Sequence, residues 1–167
     1  NAATRQLDFQ QGNVLLANTM TMTLGASAAP GDQIRFAGQL NSNGLANHEL
    51  TLNAGGGQIF FFGSVGAAPS GALAQLNATA AEIVVAAPVV NLSAGGGKTS
   101  VLNGLTVLAN NVQFVLDNSS TLDNSLVFAG VVRADSSVIQ SRILIIQAGN
   151  GSVIFEQDVG GGANGSL

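Results

Sequence analysis

One pattern occurs twice in the chain, as Leu52-Asn53-Ala54-Gly55-Gly56-Gly57-Gln58-Ile59 and as Leu76-Asn77-Ala78-Thr79-Ala80-Ala81-Glu82-Ile83. In both copies Leu-Asn-Ala is followed by a turn of small residues, a polar residue and Ile. The first copy begins at Leu52 and the second at Leu76. Because self-similarity at a short, fixed spacing is typical of repeat architectures, the chain is predicted to stack similar structural units.

The repeat extends in both directions from this stretch. Gln33-Ile34-Arg35-Phe36 aligns with Gln58-Ile59-Phe60-Phe61, and Glu82-Ile83-Val84-Val85 follows at nearly the same spacing. Asn111-Val112-Gln113-Phe114 is interpreted as the next copy, after a somewhat longer interval. Looser echoes begin at Asn124 and Ser152. The spacing is about 24 to 29 residues, within the range of solenoid repeats. About seven units at the shorter spacing would account for the whole chain.

The repeated unit has the character of a β-strand and not of a helix. Gly or Asn interrupts most windows long enough to hold a helix, whereas short alternating segments rich in β-branched residues are frequent. A unit this short cannot bury its own apolar face, but stacked copies can. We therefore predict an all-β parallel solenoid of about seven rungs. The alternative is a β-sandwich, in which similar strand spacing arises without a true repeat.

Period-two alternation divides the strand at Ile59 into an inward and an outward face. If Ile59 and Phe61 point inward, Phe60 and Phe62 point outward, so that this strand is apolar on both sides. A contiguous apolar stripe on a surface usually contacts something, either a connection of the same chain or another molecule. The predicted packing or partner surface comprises Phe60, Phe62, Val84 and Val115.

Composition excludes several classes of function. Lys and Arg number 5 and Asp and Glu 9, which gives a net charge of −4 and leaves only 8% of residues charged. Nucleic-acid binding needs a basic surface that this chain lacks. The absence of Cys excludes zinc fingers, disulfide scaffolds and thiol nucleophiles. No apolar run approaches the roughly 18–20 residues that span a bilayer, so no membrane span is predicted.

Catalytic side chains are scarce. His48 is the single histidine, and Glu49 cannot simply orient it because neighbours on a strand point to opposite faces. The chain contains no Gly-x-Ser-x-Gly nucleophile elbow. We therefore interpret His48 as a solvated turn residue and predict no catalytic residues and no cofactor.

Two aspartates offer a weak calcium site. The segment Leu116-Asp117-Asn118-Ser119-Ser120-Thr121-Leu122-Asp123-Asn124-Ser125 contains Leu-Asp-Asn-Ser twice, and Asp117 and Asp123 could supply hard oxygen ligands. The alternative is turn chemistry, in which short polar side chains cap nearby backbone groups. Turn chemistry is favoured because neither an EF-hand loop nor a Gly-Gly-x-Gly-x-Asp repeat is present, and no metal is predicted.

One part of the sequence resembles a known group of proteins. Gly56-Gly57-Gln58-Ile59-Phe60-Phe61-Phe62-Gly63-Ser64-Val65, followed by Leu73-Ala74-Gln75-Leu76-Asn77-Ala78-Thr79-Ala80-Ala81-Glu82-Ile83, resembles the repeat regions of filamentous-haemagglutinin-like adhesins and autotransporter passengers. The resemblance covers residues 31–90 and, more loosely, 100–159. It implies a right-handed parallel β-helix, secretion across the outer membrane and a stalk or adhesive role. An Asn-Pro-Asn-type secretion signature is missing, which leaves the export route undetermined.

These observations predict one solenoid domain over residues 1–159, with residues 160–167 as a Gly-rich tail or the start of a further repeat. The chain begins at Asn1, which fits a removed leader or, as we favour, a piece of a longer polypeptide. The expected function is a non-enzymatic structural or adhesive repeat module of a large secreted or surface-anchored bacterial protein. Alternatives are a polysaccharide-active β-helix enzyme and a self-assembling extracellular fibre subunit. Expected partners are neighbouring repeats, further copies of the chain, or a host surface or glycan.

Overall fold

A computed structural model describes residues 4–10, 12–25, 28–45, 47–67, 70–117, 122–135, 141–160 and 167. Within these ranges the chain forms fifteen β-strands and no helix, and each strand pairing is parallel. The predicted all-β parallel solenoid is therefore confirmed. Most of the Gly-rich tail predicted for residues 160–167 lies outside the described residues.

The strands are β1 (Gln6–Phe9), β2 (Val14–Leu16), β3 (Met20–Thr23), β4 (Gln33–Phe36), β5 (Leu40–Ser42), β6 (Glu49–Asn53), β7 (Gln58–Phe61), β8 (Gln75–Val85), β9 (Val89–Asn91), β10 (Thr99–Leu108), β11 (Val112–Val115), β12 (Ser125–Phe128), β13 (Val132–Ala134), β14 (Leu144–Gln147) and β15 (Val153–Phe155).

The chain visits three sheets in turn and then returns to the first. Sheet 1 contains β1, β4, β7, the second halves of β8 and β10, and β13. Sheet 2 contains β2, β5, the single residue Val65, β9, β11 and β14. Sheet 3 contains β3, β6, the first halves of β8 and β10, β12 and β15. The long strands β8 and β10 thus pass through a corner from sheet 3 into sheet 1.

The central register agrees with the repeat read from the sequence. Ile59 pairs with Ile34 on one side and with Ile83 on the other. Counted along sheet 1, five full turns carry the chain from β1 to β13, which is fewer than the seven rungs predicted. The difference is minor and arises because the count covers only the span from β1 to β13, whereas the prediction divided the length of the whole chain by the shorter spacing.

The alignment of the Leu-Asn-Ala part of the repeat, which matched Leu52 with Leu76, was wrong by two residues. Leu52 pairs with Ala78 and not with Leu76. The reason is the corner that follows each strand, because four residues separate Asn53 from Gln58 whereas two separate Thr79 from Glu82. A shift of two keeps every side chain on its expected face, so the period-two pattern did not reveal it.

The later copies of the repeat were assigned to the wrong sheet. Val112–Val115 forms β11 in sheet 2, where Val115 pairs with Asn91 and Gln147, so Val115 does not continue the row of Phe60. The residue that follows Ile83 in its column is Thr106. The echoes near Ser125 and Val153 belong to sheet 3. All three sheets share one alternation of apolar and polar residues, so the pattern alone cannot distinguish them.

Inward side chains form columns that run parallel to the solenoid axis, with one member from each turn. The interior members of the sheet 1 column, Ile34, Ile59 and Ile83, are 0% exposed, and each contributes about 1.5–3 kcal/mol by burial. The rings of Phe36 and Phe61 stack in parallel beside them, with centroids 5.7 Å apart.

The corners are narrow and require small residues. A Cβ atom on Gly63 would overlap the carbonyl oxygen of Gly38, the equivalent corner residue one turn earlier. Because adjacent rungs of a sheet lie only about 4.8 Å apart, any side chain at this corner would have to force the turns apart. Glycine at this corner between sheets 1 and 2 thus allows successive turns to stack at the normal strand spacing.

Candidate functional site

The predicted packing surface lies on the outside of sheet 1. Phe60 is half-buried and pairs with Arg35 on one side and Val84 on the other, as the sequence predicted. Phe62 is 40% exposed, and its ring lies parallel to that of Phe60 with centroids 5.7 Å apart. The guanidinium carbon of Arg35 is 4.8 Å from the centroid of Phe62. That this surface is covered in an assembly remains a prediction.

Val107 and Arg133 continue this row beyond Val84, in the place where the sequence analysis put Val115. Val107 is 8% exposed, so the apolar part of the row is buried at this end, and Arg133 is exposed. The outward surface of sheet 1 is therefore an apolar stripe with an arginine near each end. Sequence reasoning missed Val107 because it took the wrong segment for the next copy of the repeat.

A ladder of polar side chains runs beside the apolar stripe. Gln33 Nε2 donates to Gln58 Oε1 at 3.4 Å, and Gln58 Nε2 donates to Glu82 Oε1 at 3.1 Å. These residues occupy the polar position before the inward Ile in three successive turns. The polar residue before Ile was already visible in each copy of the sequence repeat. Hydrogen bonds between these side chains join successive turns.

The structure brings the two calcium candidates together beside the turn at Gly149. A Cβ atom on Gly149 would lie 3.0 Å from Asp117 Cγ and 2.9 Å from Asp123 Cγ, so both carboxyl groups border the same small space. The backbone N–H of Asn150 donates to Asp123 Oδ2 at 2.7 Å. At least one carboxylate oxygen thus bonds a backbone group of the next turn, which lies outside the segment that the turn interpretation considered. The intervening residues 118–121 lie outside the described residues.

Asp32 forms the most extensively bonded ion pair of the described chain. It accepts hydrogen bonds from Arg5 Nε at 3.0 Å and Nη2 at 2.8 Å, and from the backbone N–H groups of Arg5 and Ala29 at 2.8 and 2.9 Å. The Arg5 backbone bond, followed by that from Ala29, lowers the pKa of Asp32 below its ordinary value. The pair joins the first two turns.

Two more ion pairs hold the surface together. Asp135 accepts from Arg142 Nε and Nη2, both at 2.8 Å, and this hydrogen bonding lowers the pKa of Asp135 and raises the pKa of Arg142. Lys98 Nζ lies 2.9 Å from Glu49 Oε1. Glu49 thus binds a lysine and is not paired with the neighbouring histidine.

His48 does not behave as a solvated turn residue. It is only 7% exposed, and its Nε2 lies 3.0 Å from Asn43 Oδ1. Its backbone carbonyl accepts a hydrogen bond from the N–H of Ala74 at 2.9 Å. The expectation of a solvated histidine was wrong because Asn43 bonds its ring and Ala74, from the next turn, bonds its backbone carbonyl, which local sequence does not reveal.

Asn124 is a structural residue that sequence reasoning missed. Its side chain is fully buried, and Nδ2 donates to the carbonyl oxygens of Ala74, Leu92 and Ala94. Its Oδ1 accepts from the backbone N–H of Lys98 at 2.8 Å. One amide therefore joins segments from three turns. Its position in a turn-like Asp-Asn-Ser stretch gave no signal of burial.

Among the described residues, no group of three or more His, Cys, Asp or Glu side chains is placed to hold a metal ion. A helix with the length and hydropathy of a membrane span is likewise not found in the described part of the chain. No model of a known protein family matches the chain, and searches of the curated proteins and of the solved structures gave no match either.

Proposed function

We propose that this chain is a non-enzymatic structural or adhesive module of a large secreted or surface-anchored bacterial protein. The likeness of residues 31–90 to adhesin repeats supports the extracellular location and the adhesive role. The parallel solenoid supports the structural role, because each turn contacts only its neighbours and a rod is built by adding turns.

The uninterrupted burial of the inward columns is the observation that carries the proposal. Ile34, Ile59 and Ile83 are 0% exposed, and Phe36 and Phe61 beside them are at most 1% exposed. A column of this kind stabilises every turn through the next one. Such stacking suits a rod that must hold its shape over its whole length.

The carboxylates also support a structural role. Asp32 and Asp135 each accept hydrogen bonds from Nε and Nη2 of one arginine, and Glu49 forms an ion pair with a lysine. A glycan-cleaving site needs two carboxyl groups that converge on a substrate. These three are instead used in joining parts of the chain, at separate places on the surface.

The polysaccharide-active enzyme remains the second candidate because of one observation, the proximity of Asp117 and Asp123 near Gly149. Incubating the protein with a panel of neutral and acidic polysaccharides, and measuring new reducing ends and unsaturated uronates, distinguishes the two functions. A structural module releases neither. Cleavage that disappears in the Asp117→Asn/Asp123→Asn variant but persists in Asp158→Asn, an exposed acid, would overturn the proposal in favour of an enzyme.

The surface location has its own test. Intact cells of the producing bacterium are treated with protease, and the chain is followed with an antibody. A surface module is degraded without cell lysis, whereas a control cytosolic protein is not. Protection of the chain until the cells are lysed would contradict the location. For the adhesive role, immobilised glycans and host-cell surfaces should retain the chain above the level of a solenoid of unrelated sequence.

A further inference from the structure

Asn-Gly pairs are the places in this chain where the backbone can react with a side chain. In such a pair the backbone nitrogen of glycine attacks the amide carbon of asparagine, and glycine has no Cβ atom to obstruct the approach. The product is a cyclic succinimide. The chain contains Asn-Gly pairs at Asn43, Asn103, Asn150 and Asn164. Asn164 lies outside the described residues, so the surroundings of three pairs can be compared.

The side-chain oxygen of Asn43 is bonded from two sides. The backbone N–H of Leu45 donates to Oδ1 at 3.0 Å, and Nε2 of His48 lies 3.0 Å from the same oxygen. A carbonyl oxygen only accepts hydrogen bonds, so His48 carries a proton on Nε2 and donates it here. Two donors on one amide oxygen stabilise the negative charge that attack on the amide carbon places on this oxygen. They therefore form an oxyanion hole around Asn43 Oδ1.

The Gly44 nitrogen is free to attack this amide carbon. The hydrogen bond from Leu45 to Asn43 spans Gly44, so it holds the carboxamide beside the backbone that carries the Gly44 nitrogen. Gly44 is exposed, and its N–H donates to no atom of the described chain. Water or hydroxide can therefore take its proton.

The fold requires glycine at position 44. The φ angle of Gly44 is +72°, in the left-handed region that glycine adopts most readily. A Cβ atom here would also lie 2.8 Å from both Cβ and the carbonyl oxygen of Ser70 in the next turn. Packing thus excludes the larger side chains that would hinder the attack.

The other two described pairs lack this arrangement. The N–H of Gly151 donates to the carbonyl oxygen of Ala148 at 2.8 Å, so the nitrogen that follows Asn150 is occupied. Asn103 and Gly104 lie within β10, and a Cβ atom on Gly104 would overlap the carbonyl oxygen of Ala80. Neither of these asparagines has a donor on its Oδ1 within the described ranges. Asn43 is therefore the pair that the fold prepares for reaction.

We propose that Asn43 is a self-modification site, which deamidates in the folded protein. The Gly44 nitrogen loses its proton to solvent and forms a bond to Cγ of Asn43. The bond from Cγ to Nδ2 breaks, and Nδ2 takes up a proton from solvent and leaves as ammonia. Water then adds to one of the two succinimide carbonyl carbons and opens the ring. The product is an aspartyl or an isoaspartyl residue at position 43.

The modification changes a connection that packs against the next turn. It places a carboxylate where a neutral amide faced His48, and it adds one negative charge to a chain whose net charge is −4. An isoaspartyl residue also lengthens the backbone by one carbon atom beside the contact of Gly44 with Ser70. This chemistry goes beyond the proposed structural role and does not depend on it, because it needs only the folded connection.

The first experiment compares the folded chain with the unfolded chain. Both are incubated at neutral pH, the second in urea, and deamidation at each Asn-Gly pair is followed by proteolysis and mass spectrometry. In urea the pairs should react at similar rates, because each asparagine precedes glycine. In the folded chain Asn43 should react faster than in urea, whereas Asn150 should react more slowly. A rate at Asn43 that is no faster in the folded chain than in urea would overturn the proposal.

The second experiment removes the two donors one at a time. His48→Leu lacks the ring donor and should deamidate at Asn43 at least about tenfold more slowly, whereas His48→Gln can still donate from Nε2 and should keep most of the rate. Leu45→Pro removes the backbone donor and should also slow the reaction. Leu45→Ala keeps that N–H and is its matched control, since the Leu45 side chain is 89% exposed.

Circular dichroism checks that each variant is folded, and Asn150 is the internal reference in every sample. A folded His48→Leu variant with an unchanged rate at Asn43 would contradict the role of His48. Equal rates in Leu45→Pro and Leu45→Ala would contradict the role of the backbone donor. Should His48→Leu unfold, the two Leu45 variants and the comparison of the folded with the urea-unfolded wild type decide the outcome.

Discussion

Thr106 lies one turn after Ile83 in the inward column of sheet 1, and its Oγ1 hydroxyl is buried there without a hydrogen-bond partner among the described residues. The column is otherwise aliphatic, and Thr106 is 0% exposed. An unsatisfied buried hydroxyl costs about 1–3 kcal/mol. We therefore predict that Thr106→Val raises the free energy of unfolding by about 1 kcal/mol. Denaturant titration measures the change, and Thr51→Val on an outward face is the matched control. A loss of stability in Thr106→Val would mean that the hydroxyl has a partner.

Asp32 makes stability depend on pH in acid. Its pKa is lowered from the ordinary value of 3.8 by backbone hydrogen bonds from Arg5 and Ala29. Its contribution is therefore fully present above about pH 4 and is lost as the pH falls through the lowered pKa. Asp32→Asn should make the free energy of unfolding fall less steeply between neutral pH and strong acid than in the wild type. Asp158→Asn, at an exposed acid, should follow the wild-type curve. Parallel curves for Asp32→Asn and the wild type would contradict the prediction.

Asp117 and Asp123 distinguish turn chemistry from calcium binding. If they are turn residues, Asp123→Asn keeps an oxygen that accepts from the Asn150 N–H and costs about 1 kcal/mol or less. The melting temperature should then be the same with excess chelator and with excess calcium. A melting temperature that rises with calcium in the wild type, but not in Asp117→Asn/Asp123→Asn, would favour the calcium site.

Arg35 and Phe62 should be energetically coupled. The guanidinium carbon lies 4.8 Å from the ring centroid, within the range of a cation–π interaction. A double-mutant cycle with Arg35→Met and Phe62→Leu, which keep most of the apolar area, should give a coupling of about 0.5–1 kcal/mol. Arg133→Met with Phe62→Leu is the control cycle and should be additive. Additivity in the first cycle would mean that the contact contributes nothing to stability.

The sequence predicted the period and the inward face correctly because both follow from side-chain alternation. Ile34, Ile59 and Ile83 recur at the spacing of one turn and are buried in register. The errors arose where alternation carries no information. The alternation of inward and outward residues is unchanged by the two-residue shift of Leu52. The same alternation occurs in all three sheets, so Val115 was assigned to the wrong sheet.

The buried polar residues could not be predicted at all. Asn124 and His48 are buried because segments from other turns provide partners and cover. Such contacts depend on how the connections fold over the corners. Asp117 and Asp123 were considered as joint calcium ligands or as turn residues of one segment, and neither interpretation included Gly149, the residue of the next turn that lies beside both carboxyl groups.

The central claim is that successive turns stack in parallel with the register of the structure. The chain has no Cys, so a disulfide between two engineered cysteines reports directly which residues face each other across adjacent strands. Thr51 faces Asn77 across sheet 3, and adjacent strands lie about 4.8 Å apart, within the reach of a disulfide. The Leu-Asn-Ala alignment would instead place Thr51 opposite Gln75, which the structure puts about 8 Å away and beyond that reach.

Thr51→Cys/Asn77→Cys and Thr51→Cys/Gln75→Cys are therefore oxidised under identical conditions, and intramolecular disulfide is measured by mass spectrometry after proteolysis. The account predicts rapid, nearly complete bridging in the Thr51/Asn77 pair and little in the Thr51/Gln75 pair. Preferential bridging of Thr51 with Gln75, or bridging in neither pair of the folded protein, would contradict it.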